Sequence, residues 1–105
     1  MTEMSVGELK RRIDAGEDLV LLDVREPHEL VTASLPLAIA IPMGQIAERL
    51  GELPRDRTIA VLCHGGFRSA RVAHFLVQNG YDKTFNVAGG IDAWSREIDP
   101  TVPLY

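Results

Sequence analysis

The chain is short of the features that would place it in several large classes. It has one cysteine, Cys63, so no internal disulfide can form and the fold needs no oxidising compartment. It has no excess of basic charge: 11 lysines and arginines against 15 aspartates and glutamates give a formal charge of −4 at pH 7. That balance argues against broad binding to nucleic acid or to an anionic membrane, and any anion chemistry must come from a local arrangement. No apolar run is long enough to cross a bilayer. Met1 to Ser5 lacks the apolar core of a signal peptide, so a cytoplasmic location is expected, and with it a monomer. There is no repeat, linker or low-complexity stretch. Residues 1–105 are therefore read as one domain, with 46% apolar residues to build its core.

What is present alternates between two patterns. Ser5 and Glu8 have capping-box spacing, and Val6, Leu9 and Ile13 share one helical face ending before Gly16, which predicts a helix over 6–15. Leu19 to Val24 is apolar except for Asp23, as a strand covered on both faces would be. Pro27 can begin a short helix reaching about Thr32, with Glu26 and Glu29 as solvated charges at its start. Ala38 to Ile41 predicts a short strand stopped by Pro42, and Met43, Ile46, Ala47 and Leu50 recur at helical spacing before Gly51. Thr58 to Leu62 reads as a buried strand and Ala70 to Asn79 as a helix. Its apolar face comprises Ala70, Ala73 and Val77 with the row Ser69, Val72 and Leu76. Thr84 to Val87 is a further strand, and Gly89-Gly90 opens a last helix with Ile91, Trp94 and Ile98 inward. Strands that alternate with helices define an α/β fold with a mainly parallel central sheet.

In such sheets ligands bind beyond the carboxyl ends of the strands. Asp23-Val24-Arg25, the loop from Cys63 and Ala88-Gly89-Gly90 all fall at such ends. The loop Cys63-His64-Gly65-Gly66-Phe67-Arg68-Ser69 is the distinctive one. A cysteine just before a helix start should have its thiolate favoured, and the thiolate is the nucleophilic form. Gly65 and Gly66 permit torsions that let several N–H groups converge on one anion. Arg68 and Arg71 stand at the helix end that disfavours cations, so a bound anion or an anionic group on Cys63 is expected to offset them. A lone cysteine is ordinarily a small buried hydrophobe, and the glycines, the arginine and the helix start outweigh that reading here. His64 could act as a base or a metal ligand. No other Cys or His lies at ligand spacing, so no metal is expected and His64 is read as an exposed loop residue. His28 and His74 read as surface residues. Asp23 must be paired to sit at the end of an apolar strand, with Arg25 or a loop backbone as its partner and a supporting role for both.

Leu21-Leu22-Asp23-Val24-Arg25-Glu26 with Glu29, the loop from Cys63 to Arg68, and Ala88-Gly89-Gly90-Ile91-Asp92-Ala93-Trp94 resemble the rhodanese, or sulfurtransferase, domain across nearly the whole chain. The resemblance implies a three-layer sandwich with a five-stranded parallel sheet, its fifth strand near Glu3 to Ser5. It implies that Cys63 takes the outer sulfur of thiosulfate or a similar donor as a persulfide, which a thiol, possibly on a protein, or cyanide then removes. The N–H groups of His64, Gly65, Gly66, Phe67 and Arg68 would cradle that sulfur, with Arg68 attracting the donor. No dissociable cofactor is implied. Ala33-Ser34-Leu35-Pro36-Leu37-Ala38 departs from the family's Gly-His-Ile-Pro-Gly-Ala pattern, with Ser34 for histidine and Leu37 for the second glycine. The tail from Arg96 to Tyr105 is similar to that of rhodanese domains fused to ubiquitin-like-protein activating enzymes, which suggests sulfur relay.

Three alternatives remain. Cysteine phosphatases and arsenate reductases place five residues between cysteine and arginine; here there are four, and Ser69 stands where their arginine would fall. The shorter loop suits one sulfur better than a tetrahedral oxyanion. A protein-binding module without chemistry would have no need of both Cys63 and Arg68. A persulfide-relay partner cannot be told from a free-standing thiosulfate enzyme by sequence.

Overall fold

The computed structural model describes residues 2–105. Five strands form one parallel sheet in the order β1-β5-β4-β2-β3: β1 (Thr2–Met4), β2 (Leu19–Asp23), β3 (Ile39–Ala40), β4 (Thr58–Leu62) and β5 (Thr84–Val87). Of four helices, α1 (Val6–Asp14), α2 (Pro27–Thr32) and α3 (Phe67–Gln78) lie in crossovers between strands, and α4 (Gly90–Glu97) follows β5. Among the described residues no helix is long and apolar enough to cross a membrane.

Side-chain alternation along the two central strands divides the interior into two cores. Val20 and Leu22 of β2, with Ile59 and Val61 of β4, face Val72, Ala73 and Leu76 of α3. Leu21, Ala60 and Leu62 face the other way, toward Val6 and Leu9 of α1 and Ile91 and Trp94 of α4. Helices therefore cover both faces, and the continuous apolar runs read from β2 and β4 are those of strands buried on both sides.

The predicted elements are found, with four corrections. The edge strand β1 occupies Thr2–Met4, because Ser5 is taken up as the N-cap of α1, its Oγ accepting from the Glu8 N–H at 3.1 Å. The reciprocal half of the predicted capping box is absent: the Glu8 carboxylate turns instead to Arg11 and Arg12. Residues 43–50 do not form the helix that their spacing predicts. The chain there forms two short 3₁₀ turns, Met43–Gln45 and Leu50–Glu52, which still bury Ile46 and Leu53. Pro42, Gly44 and Gly51 give this stretch too little helical preference to extend either turn. Helix α3 begins at Phe67, earlier than predicted, and its buried row is Ser69, Val72, Ala73 and Leu76, with Ala70 and Val77 half-buried on its flanks. Leu37, which replaces a glycine of the family pattern, is exposed, and no residue other than glycine has a positive φ among those described. That loop therefore needs no glycine at 37.

Register sets the working edge. Asp23 pairs with Leu62 and with Ala40, and Val24 N–H donates to the Leu62 carbonyl at 3.0 Å. The residues after β2 and after β4 are thereby side by side. Ala88 N–H, just past β5, donates to Met4 O at 2.8 Å.

Candidate active site

Cys63 is the first residue past β4, and only 1% of it is exposed. Two groups approach its sulfur: the Gly66 N–H donates to Sγ at 3.1 Å, and Ser69 Oγ lies 3.1 Å away. The loop can close this tightly because Gly66 takes φ +104°, a region that L side chains rarely adopt. Its carbonyls are held from outside. Ile91 N–H donates to Cys63 O at 2.9 Å and Asp92 N–H to His64 O at 3.1 Å, so the start of α4 is spent on the cysteine loop. Asn86 of β5 donates through Nδ2 to Gly66 O at 3.1 Å. Gly90 makes the α4 contact possible, since at its φ of +61° a Cβ would sit 2.5 Å from Cys63 O and nearer still to His64 O. With three loop carbonyls bonded outward, the Gly66 amide is left to the sulfur.

Beside the loop stand two ion pairs. Asp23 and Arg25 are fully buried and form a fork: Arg25 Nε to Asp23 Oδ1 at 2.9 Å, and the second guanidinium nitrogen to Oδ2 at 2.7 Å. The Arg25 backbone N–H also reaches Oδ1, and the guanidinium crosses to Ala33 O at 2.8 Å. Burial disfavours the Arg25 cation, and the hydrogen bonds to Asp23 and Tyr105 more than offset it. Arg68 grips Glu29 with both terminal nitrogens, at 2.6 and 2.9 Å.

Glu29 thus corrects two expectations. It is a buried carboxylate, not a solvated charge, and it also accepts the Glu26 N–H at 3.1 Å as part of a capping box at the start of α2. It is also the anion that offsets Arg68 at the wrong end of α3. No bound anion is needed to explain that cation. The Arg68 hydrogen bonds hold the Glu29 carboxyl far below the usual carboxylate range, and Glu29 in return pushes Arg68 higher.

The two pairs are joined by Tyr105, which sequence reasoning leaves in the tail. Arg25 donates to its hydroxyl at 2.9 Å, and the hydroxyl donates to Glu29 Oε2 at 2.7 Å. Its ring stacks on His64, centroids 4.0 Å apart and planes 10° from parallel. His64 is therefore half-buried against a partner, not an exposed loop residue. Phe67 is 87% exposed at the rim. Asn86 also escapes the sequence reading, although a polar residue between Phe85 and Val87 in a buried strand is a visible signal. Tyr105 lies 80 positions from Arg25 and offers none.

The depressed Glu29 ionisation has a measurable consequence. A group whose folded value is lowered contributes stability above its ordinary value of 4.5 and loses it as pH falls toward the folded value. Glu29→Gln should cost about 1–2 kcal/mol at pH 7, reduced because Arg68 is partly open to solvent. Guanidinium titrations at several pH values check this. The gap to the unsubstituted chain should narrow from about pH 4.5 downward, and a gap independent of pH would contradict it.

Fold and loop together define a parallel α/β protein with a buried thiol held at a helix start on the carboxyl edge of its sheet. The family described as Rhodanese-like domain matches residues 5–97, and the chain belongs to it. It is 36% identical over 102 residues to a sulfurtransferase of Allochromatium vinosum, covering 97% of this chain and 95% of that one. Among solved structures it resembles a rhodanese-related protein from Thermoplasma volcanium, at TM-score 0.87 and 37% identity with full coverage of both chains. It also resembles part of an NAD-dependent persulfide reductase from A. fulgidus, at TM-score 0.72 and 35% identity, covering 90% of this chain and 16% of that one.

Proposed function

We propose that the protein is a sulfurtransferase in which Cys63 carries one sulfane sulfur as a persulfide between a donor such as thiosulfate and a thiol or cyanide acceptor. The observation that carries this reading is the environment of Sγ, with the Gly66 N–H and the Ser69 hydroxyl each at 3.1 Å in a loop braced from outside. Donors fixed in place before the reaction stabilise charge on sulfur with little reorganisation. The kinship with a sulfurtransferase and with a persulfide reductase supports the same chemistry.

In the first step the Cys63 thiolate attacks the outer sulfur of thiosulfate. A bond forms between Sγ and that sulfur, the bond to the sulfonate sulfur breaks, and sulfite leaves with the electron pair. In the second step a thiolate or cyanide attacks the terminal sulfur, and the bond to Sγ breaks to return the Cys63 thiolate. No external oxidant or dissociable cofactor enters either step, and the kinetics should be ping-pong. Arg68 is the cation placed to attract an anionic donor, and Glu29 fixes its direction. Phe67, exposed beside the loop, offers an apolar contact for a protein that carries the acceptor thiol, and this supports a relay role.

Incubation with thiosulfate followed by intact-mass measurement tests the reading. One added sulfur atom, lost again on addition of cyanide with formation of thiocyanate, is the expected result. No mass gain together with hydrolysis of an aryl phosphate would point to phosphatase chemistry instead.

A further inference from the structure

Tyr105 belongs to neither the cysteine loop nor either ion pair, yet it touches all three. Its hydroxyl is both acceptor and donor: it accepts a hydrogen bond from Arg25 and donates one to Glu29. Its ring lies flat on His64, the residue next to the nucleophile, and the Arg25 guanidinium stands 5.7 Å from the ring centre. At 39% exposure it has one side open to solvent and one against the loop. We infer that Tyr105 is a positioning residue for sulfur transfer, aiming the Arg68 cation through Glu29 and fixing the entrance of the Cys63 loop through His64.

Glu29 Oε2 has two partners, the Arg68 guanidinium at 2.9 Å and the Tyr105 hydroxyl at 2.7 Å, on the same oxygen. Two donors on one carboxylate oxygen restrict its rotation, and the carboxylate in turn sets the plane of the guanidinium that it grips in two places. Without the hydroxyl, Glu29 keeps Arg68 but loses the tie to the buried Asp23–Arg25 pair, so the cation is anchored to a short helix alone. The ring acts separately. A stacked pair with planes 10° apart holds the His64 side chain in one orientation over the loop and narrows the approach to a sulfur that is otherwise buried.

This inference rests on the sulfurtransferase reading for its activity assay but not for its second assay. Tyr105→Ala should lower kcat/KM for thiosulfate about tenfold, mainly through KM, and Tyr105→Phe, which keeps the ring, about threefold. Because the Tyr105 hydroxyl acts through Arg68, adding Tyr105→Phe, which keeps the ring, to Arg68→Ala should cost little further, whereas independent residues would multiply their losses. The second assay compares alkylation of Cys63 by anionic iodoacetate and neutral iodoacetamide. The rate ratio of the two reagents should fall about threefold in Tyr105→Ala as the cation loses its aim. Tyr105→Phe serves both assays if the alanine variant folds poorly. Variants that keep the KM and alkylation ratio of the unsubstituted chain, or a Tyr105→Phe loss that multiplies with that of Arg68→Ala, would overturn the inference. If the unsubstituted chain takes no sulfur from thiosulfate while the ratio still responds to Tyr105, the positioning role stands and the sulfurtransferase reading fails.

Discussion

Cys63→Ser should accept no sulfur from thiosulfate and should lower turnover to thiocyanate by about 10³-fold or more, the scale of losing a covalent nucleophile. This loss does not depend on a disturbed fold. Serine fills nearly the same volume, and its hydroxyl can still meet the Gly66 N–H and the Ser69 hydroxyl, which now hold the sulfur at 3.1 Å each. The loop's outer braces, from Ile91, Asp92 and Asn86, do not involve the side chain. The variant should therefore denature within about 1 kcal/mol of the unsubstituted chain. Separating the two readouts is the point of the experiment. A variant that is folded by guanidinium titration, silent by intact mass and silent in the thiocyanate assay assigns the chemistry to one atom. Residual loading in that variant would move the nucleophile elsewhere, although the sequence has no second cysteine to receive it.

Cys63 stands out in the sequence alone because its setting is local. A β-branched run, a cysteine, two glycines and a helical apolar row are consecutive, so strand, turn and helix are read in one pass. The Asp23–Arg25 pair is legible for a similar reason, since a carboxylate ending an apolar strand must find a partner and the nearest cation is two residues away. Glu29 is misread because its partner is 39 residues distant, and at short range it looks like any charge at a helix start. Tyr105 escapes for the same reason in stronger form. The stretch from Met43 to Leu50 fails differently. Its apolar spacing is helical, but of Met43, Ile46, Ala47 and Leu50 only Ile46 is buried and Ala47 is exposed, because spacing does not distinguish an α-helix from two 3₁₀ turns when proline and glycine interrupt the run.

The buried fork is where the fold and the site are coupled most closely, and Asp23→Ala should show the largest loss of stability of any change at this edge. In the intact protein Arg25 is 0% exposed, and Asp23 takes its Nε, one terminal nitrogen and its backbone N–H. Removing the carboxylate leaves the cation in place with only the Ala33 carbonyl and the Tyr105 hydroxyl. Breaking one side of a buried pair costs about 3–5 kcal/mol, because the remaining charge stays desolvated. Against a typical total of about 5–15 kcal/mol for a domain, that is a large fraction. Replacing both members, Asp23→Leu with Arg25→Met, should recover much of it, since the charge and its desolvation are removed together. The same pair of variants separates stability from chemistry. The double variant should regain its guanidinium midpoint but not its full kcat/KM for thiosulfate, because Tyr105 and Glu29 have lost the cation that tied them to the sheet. If Asp23→Ala instead denatures within about 1 kcal/mol of the unsubstituted chain, Arg25 has found water or a new partner. The fork would then be a brace that the edge can replace.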